Sequence, residues 1–247
     1  MPQHTCNDLT RDFKKLGVEP GDIIFMHSSF KSLGPVEGGA GTVVRALEAC
    51  VGAEGLLLMP SFNLVEHERR AEAWDPQTSP STVGWITEYF RSIAGTYRSD
   101  HYSHSVSARG NGAEAFVADH RRQEGLDSPW DKTPWGKMFG AHSPMVRAYE
   151  RDARLLMLGV DYDSSTYIHL VEVRYWNQLR AVNPQAAYPA LSRPGLGAFW
   201  DRAGELNRGL VGDADCRLIR TRTYVDGLLA EVEREPARYL SNEQIRV

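Results

Sequence analysis

The chain has 247 residues, 42% of them hydrophobic and 24% charged, with 28 Lys+Arg against 32 Asp+Glu for a net charge of −4. That is enough chain to bury a substantial core in one or two domains, and 22 Gly with 13 Pro is ordinary usage that excludes fibrous and low-complexity classes. A mildly acidic total without a Lys/Arg block argues against nucleic acid or an anionic membrane as partner. Cys6, Cys50 and Cys216 are too far apart for a CxxC zinc or redox site and too few for an even disulfide framework, so a reducing cytoplasm is expected. The start, Met-Pro-Gln-His-Thr, lacks a basic segment followed by an apolar one, and no apolar run nears membrane-span length.

In chain order, short apolar runs alternate with helical patterns, which indicates an α/β chain. Leu9, Phe13 and Leu16 give a helix that Gly17 and Pro20-Gly21 stop. Ile23 to Met26 is too short for a helix and reads as a buried strand. A Gly/Ser-rich loop (27–41), a helix through Val43, Leu47, Cys50 and Val51, and a strand at Leu56 to Met59 follow. Residues 61–81 read as a long loop or lid. Ser79-Pro80 predicts a helix start, with Val83, Ile86, Phe90 and Ile93 on its buried face. A further amphipathic helix is expected over 113–124, a strand over 154–160, and a helix from about Ser165. The last third shows turns around Pro194-Gly195 and Gly209 to Gly212, a strand over 216–222, and a final helix using Val225, Leu229 and Val232. Neither repeat nor linker interrupts 1–247, so one domain is the economical reading.

Several constellations carry chemistry. His27-Ser28-Ser29-Phe30-Lys31-Ser32-Leu33-Gly34-Pro35-Val36-Glu37-Gly38-Gly39 lies between a strand end and a helix, where open α/β sheets bind ligands. GxGxxG and GxxxxGK[ST] are both missing from it. His169 and Glu172 stand at i, i+3 on the helix expected from Ser165, and a carboxylate beside an imidazole can hold one tautomer of a general base. The same spacing also suits a plain ion pair, and it supplies no third ligand for zinc. His120 fits a helix C-terminal cap as well as a site. Arg98 to Gly110, dense in polar groups for a segment flanked by helices, fits a site and a solvated loop equally well.

Taken together, HSSFKSLGPVEGG, LLLMPSF, WDPQTSPSTVGWITEYFR, RSDHYSHSVSARG, ADH with GLDSPW, and GVDYDSSTYIHLVE resemble, in order and spacing, the aminoglycoside 3-N-acetyltransferase family over roughly residues 15 to 180. The resemblance implies a single-domain α/β fold with a central mixed sheet flanked by helices. It also implies direct transfer of an acetyl group from acetyl-CoA to an aminoglycoside 3-amino group, in a cytoplasmic monomer or homodimer without metal. By it, His27, Ser28, Ser29, Ser32, Leu33, Gly34 and Val36 would line the coenzyme A channel, with Ser105, Val106 and Ala108 near the pantetheine. Trp74, Asp75 and Asp163 would face the acceptor, and His169, Glu172 and His120 would be the catalytic candidates, His169 as base and His120 as its competitor.

A polycationic acceptor calls for an acidic pocket, to which Asp75, Asp161, Asp163, Glu172 and Glu66 or Glu68 could contribute. The sequence departs from the familiar pattern at Tyr102, where proline often follows the histidine, at HLVE in place of HLAE, and in a stretch carrying Trp130 and Trp135. A family member acting on a different amine is therefore the main alternative. A metal-dependent hydrolase using His101, His104, His120, His169 and Glu172, and a non-catalytic coenzyme A binder, are the rivals from other classes.

Overall fold

The computed structural model describes residues 3–65 and 69–241. Its centre is a seven-stranded mixed sheet, in spatial order β3-β4-β2-β1-β5-β7-β6. The strands are β1 (Ile23–Ser28), β2 (Leu56–Pro60), β3 (Tyr97–Arg98), β4 (Val106–Gly110), β5 (Arg154–Leu158), β6 (Asn207–Val211) and β7 (Ala214–Arg220). Only β2 and β5 run parallel to β1, one on each side, so that Phe25 lies opposite both Leu58 and Leu155. The outer pairs are antiparallel. The chain thus leaves β1 first to one side and later to the other, which opens a crevice at the carboxyl ends of β1 and β5.

Period-2 alternation in the central strands feeds two cores. Ile24, Met26, Leu57, Met59, Leu156 and Leu158 pack under α1 (Cys6–Leu16), α2 (Ala40–Val51) and α3 (Trp85–Ser92). Phe25, Leu56, Leu58, Leu155 and Met157 face the opposite layer. That layer holds α4 (Ala113–Val117), α5 (Pro144–Glu150), α6 (Tyr167–Val182), α7 (Arg193–Ala203), α8 (Thr221–Arg234) and α9 (Pro236–Tyr239). In α1 a capping box, with Thr5 and Asp8 bonded reciprocally, starts the helix, and Gly17 at φ 104° ends it in the left-handed region.

Several expected boundaries move, each for a physical reason. The helix expected from Ser79-Pro80 begins only at Trp85. The Ser79 amide donates to Asp75 O, its carbonyl accepts from Arg98, and the Ser81 amide donates to Glu88 Oε2 at 2.6 Å, which commits the segment to loop contacts. The helix expected over 113–124 stops at Val117, because Arg147 Nη1 donates to the carbonyls of Ala115, Phe116 and Ala118 in place of another turn. The expected turn at Pro194-Gly195 is instead the first turn of α7. Ser192 is its N-cap and accepts from the Gly195 amide at 3.2 Å. Gly209 lies within β6, whose turn is made at Gly212.

Candidate active site

A cleft of about 600 Å³ opens at the carboxyl ends of the parallel strands. His27 and Ser28 reach it from the end of β1, and Pro60 and Phe62 from β2 and just beyond. Asp163, Ser164 and Thr166 come from the turn after β5, His169 and Glu172 from α6, and Leu191 and Arg193 from the entry to α7. Arg70, His104 and Trp130 close the far wall.

Helical spacing determines the central pair. Tyr167, Ile168 and Val171 sink into the core, which turns the next positions, His169 and Glu172, toward the cleft. His169 Nδ1–H donates to Glu172 Oε2 at 2.6 Å. Glu172 is 2% exposed and has two more donors, Tyr188 Oη–H to Oε2 at 3.1 Å and the Leu191 amide to Oε1 at 2.9 Å. Those bonds immobilise the carboxylate as an acceptor, so the imidazole keeps its proton on Nδ1 and presents a lone pair at Nε2. That lone pair accepts from Arg193 Nη2 at 2.7 Å. Trp130 and His104 stand edge-on to the His169 ring, with centroids at 5.0 and 5.8 Å.

The other histidines near the sheet are neutral. His27 Nε2 lies 3.2 Å from the Thr166 hydroxyl and 3.4 Å from its amide nitrogen, and burial, with the Arg193 charge nearby, holds its pKa down to about 3. Burial also lowers His104 well below the ordinary imidazole range, helped by His169, and its Nδ1 pairs with the Ser103 hydroxyl.

His120 lies off the cleft. The Ser99 hydroxyl donates to its Nδ1 at 3.0 Å and accepts from the Val106 amide at 2.9 Å, while His120 Nε2 donates to Met138 O at 3.3 Å. Its ring stacks on His101 at 4.7 Å, and burial brings its pKa down to about 4. The segment that by sequence fits a site or a solvated loop is therefore interior, since Ser99, His101, Ser103, His104, Ser105 and Ser107 are all buried. Among the described residues no three histidine, cysteine or carboxylate groups converge on a point that could hold a metal.

The remaining expected site residues fall into separate places. Ser32 Oγ pairs with Ser29 Oγ at 2.9 Å and donates to Gly159 O at 3.1 Å, behind His27 and Ser28. Leu33 and Val36 are core residues, and Gly34 turns at φ 74° against Asp213. Ser105 bonds the end of β2 through its carbonyl, which accepts from the Ser61 amide at 2.9 Å, and Val106 and Ala108 are buried in β4. Trp74 donates to Asp100 at 2.9 Å beneath the Arg98 guanidinium, and Asp75 caps the amides of Gln77 and Thr78. Asp161 caps its own turn through the Asp163 amide. Asp163 and Glu172 are the carboxylates lining the cleft among the described residues, whereas Glu66 and Glu68 lie outside them.

Sequence reasoning missed Arg193, Arg70, Tyr188 and the Leu191 amide. Ser192 before Arg-Pro is a helix-start signal that could have marked Arg193 as the first residue of a helix. Nothing local points to the others.

Comparison with known proteins decides the family. The profile described as aminoglycoside 3-N-acetyltransferase matches residues 25–134 and 131–232. Aminoglycoside N(3)-acetyltransferase IV from a Salmonella species is 31% identical over 94% of this chain and 89% of its own length. The chain belongs to the aminoglycoside 3-N-acetyltransferase family. It is accordingly an acetyl-CoA-dependent N-acetyltransferase. An aminoglycoside N(3')-acetyltransferase-like protein of Bacillus subtilis strain 168 is 31% identical over 90% of each chain. Among solved structures, aminoglycoside acetyltransferase AAC(3)-IVa superposes with a TM-score of 0.76 at 27% identity, covering 98% of this chain and 93% of that one. A histidine-to-alanine variant of that enzyme in complex with a gentamicin gives a TM-score of 0.77 at the same identity and coverage. The central mixed sheet flanked by helices is the fold expected from the sequence. Among the described residues no helix is long and apolar enough to cross a membrane.

Proposed function

We propose that this acetyltransferase moves the acetyl group directly to the 3-amino group of an aminoglycoside, with His169 as general base and Glu172 as the residue that positions it. The observation that carries the reading is the fixed tautomer of His169, whose Nε2 lone pair is turned into the cleft by the Glu172 contact. Acetyl-CoA supplies the acetyl carbon as an activated thioester. The residues present suit that co-substrate. Ser28 Oγ is buried on the cleft wall with no hydrogen-bond partner among the described residues, so one polar group there is left for a ligand. The loop through Ser29 and Ser32 braces Ser28 against Gly159.

An ammonium cannot attack a carbonyl carbon until it loses a proton. His169 Nε2 takes that proton, and the buried Glu172 carboxylate stabilises the imidazolium that results. Trp130 and His104 exclude water around the ring. The three cysteines are free thiols, which suits action in the reducing cytoplasm.

The balance of charge favours a second reading, the same transfer to a different amine. Arg70 and Arg193 line the cleft beside Asp163 and the fully engaged Glu172, a lining suited to an acceptor with fewer positive charges than an aminoglycoside. Coenzyme A release, followed across a panel of aminoglycosides and simpler amines, separates the two. Turnover with an aminoglycoside that His169→Ala abolishes supports the first reading. No turnover with any aminoglycoside, but turnover with a simpler amine, supports the second.

A further inference from the structure

Arg193 is in an electrostatically poor position. It is the first residue of α7, where the exposed backbone amides favour an anion rather than a cation. It has no carboxylate partner among the described residues: Nη1 donates to the Asp163 carbonyl at 2.7 Å and Nη2 to His169 Nε2 at 2.7 Å. Both bonds are to neutral acceptors, and the side chain sits half-buried on the cleft wall. His169 Nδ1 carries its proton and donates it to Glu172, and Arg193 donates to the Nε2 lone pair, so neither nitrogen of His169 is free to accept a proton.

We propose that Arg193 is a gate on the base: its guanidinium occupies the place of the acceptor ammonium and must be displaced before His169 can act. An N⁺–H donor at His169 Nε2 is what an incoming ammonium presents, and one lone pair serves one such donor at a time. Displacement requires no broken salt bridge, and Nη1 keeps its Asp163 carbonyl while Nη2 lets go. The gate therefore selects among amines. An acceptor whose remaining groups bind the cleft displaces the guanidinium, whereas a small amine without further contacts does not. Arg193 is thus a specificity-determining residue that acts through His169 and rests on the role proposed for that histidine.

Steady-state kinetics of Arg193→Met and Arg193→Lys against the wild-type enzyme test this, with the best acceptor found in the panel and with a small primary amine. Loss of a displaced hydrogen bond predicts an acceptor KM about fivefold lower in Arg193→Met. The acetyl-CoA KM stays unchanged, kcat stays within about twofold, and turnover of the small amine appears. Arg193→Lys keeps a donor and stays close to wild type. A raised acceptor KM or a collapsed kcat in a folded Arg193→Met protein overturns the gate. Nitrogen-15 NMR of labelled histidine gives a readout independent of activity: the His169 Nε2 signal moves in Arg193→Met while Nδ1 stays protonated, and an unmoved Nε2 also overturns the proposal. If instead His169→Ala keeps full turnover, the general-base reading fails, whatever Arg193 does.

Discussion

The Ser32 hydroxyl donates to the Gly159 carbonyl at 3.1 Å, tying the loop after β1 to the loop after β5. Gly159 sits at φ +63°, and a Cβ there would lie 2.5 Å from Ser32 Cβ. The left-handed backbone and the close approach both require glycine. Gly159→Ala pushes the Ser29–Ser32 segment, and Ser28 with it, off the crevice. The expected outcome is an acetyl-CoA KM raised about tenfold or more with a smaller change in acceptor KM, and a loss of stability of about 2 kcal/mol in urea unfolding. An unchanged acetyl-CoA KM would remove this loop from the coenzyme channel.

Glu172→Gln probes the positioning of His169. The carboxylate accepts three N–H or O–H donors, and an amide of the same shape must turn an NH₂ toward at least one of them. The imidazole then loses its fixed Nδ1–H tautomer and, with it, the lone pair at Nε2. A fall in kcat of about a hundredfold or more, with acetyl-CoA KM unchanged, is expected from pre-steady-state and steady-state assays. A kcat within a few-fold of wild type would limit Glu172 to a structural role.

How far the sequence foretold this site depends on how local each determinant is. The pair on α6 could be read because i, i+3 spacing on a helix is a local fact, and so could β1, α2 and β2, whose apolar runs are short and bounded by Gly or Pro. The end of α4 could not, since it depends on Arg147, some thirty residues away, reaching its last carbonyls. Ser99 to Ser107 left a site and a solvated loop equally open, because serine and histidine in a run ordinarily read as exposed. Here Ser99 pairs with His120 and the Val106 amide, and Ser103 with His104, and those pairings offset much of the cost of burying the segment. Arg193 was hidden by a Pro-Gly pair that reads as a turn but opens a helix behind Ser192.

His120→Ala separates support from catalysis. His120 is buried away from the cleft and fixes Ser99, which in turn holds the Val106 amide. Its removal leaves the Ser99 O–H without its acceptor, the Met138 carbonyl without its donor and a gap beside His101. Stability should fall by about 2–3 kcal/mol, with kcat within about threefold of wild type in the folded protein. A kcat loss of a hundredfold in a protein of unchanged thermal midpoint would make His120 the base in place of His169.

The same histidine contributes to a dependence of stability on pH. His27, His101, His104 and His120 are buried and neutral, with pKa values lowered by burial to about 3 for His27, about 4 for His120, and well below the ordinary imidazole range for the other two. In the unfolded chain each titrates near 6.5. Between about pH 6.5 and 4.5 the unfolded state therefore binds more protons than the native state, so stability is full above this window and is lost as pH falls through it. Each histidine that stays neutral contributes up to about 1.4 kcal/mol per pH unit, and most carboxylates titrate below the window. Urea unfolding at pH 7.5, 6.0 and 5.0 should show a steep fall in stability, with an uptake approaching four protons at the acid end. In His120→Ala that uptake should fall by one proton even as the absolute stability drops. A flat profile from pH 7.5 to 5.0 would mean that these rings take up protons inside the folded protein.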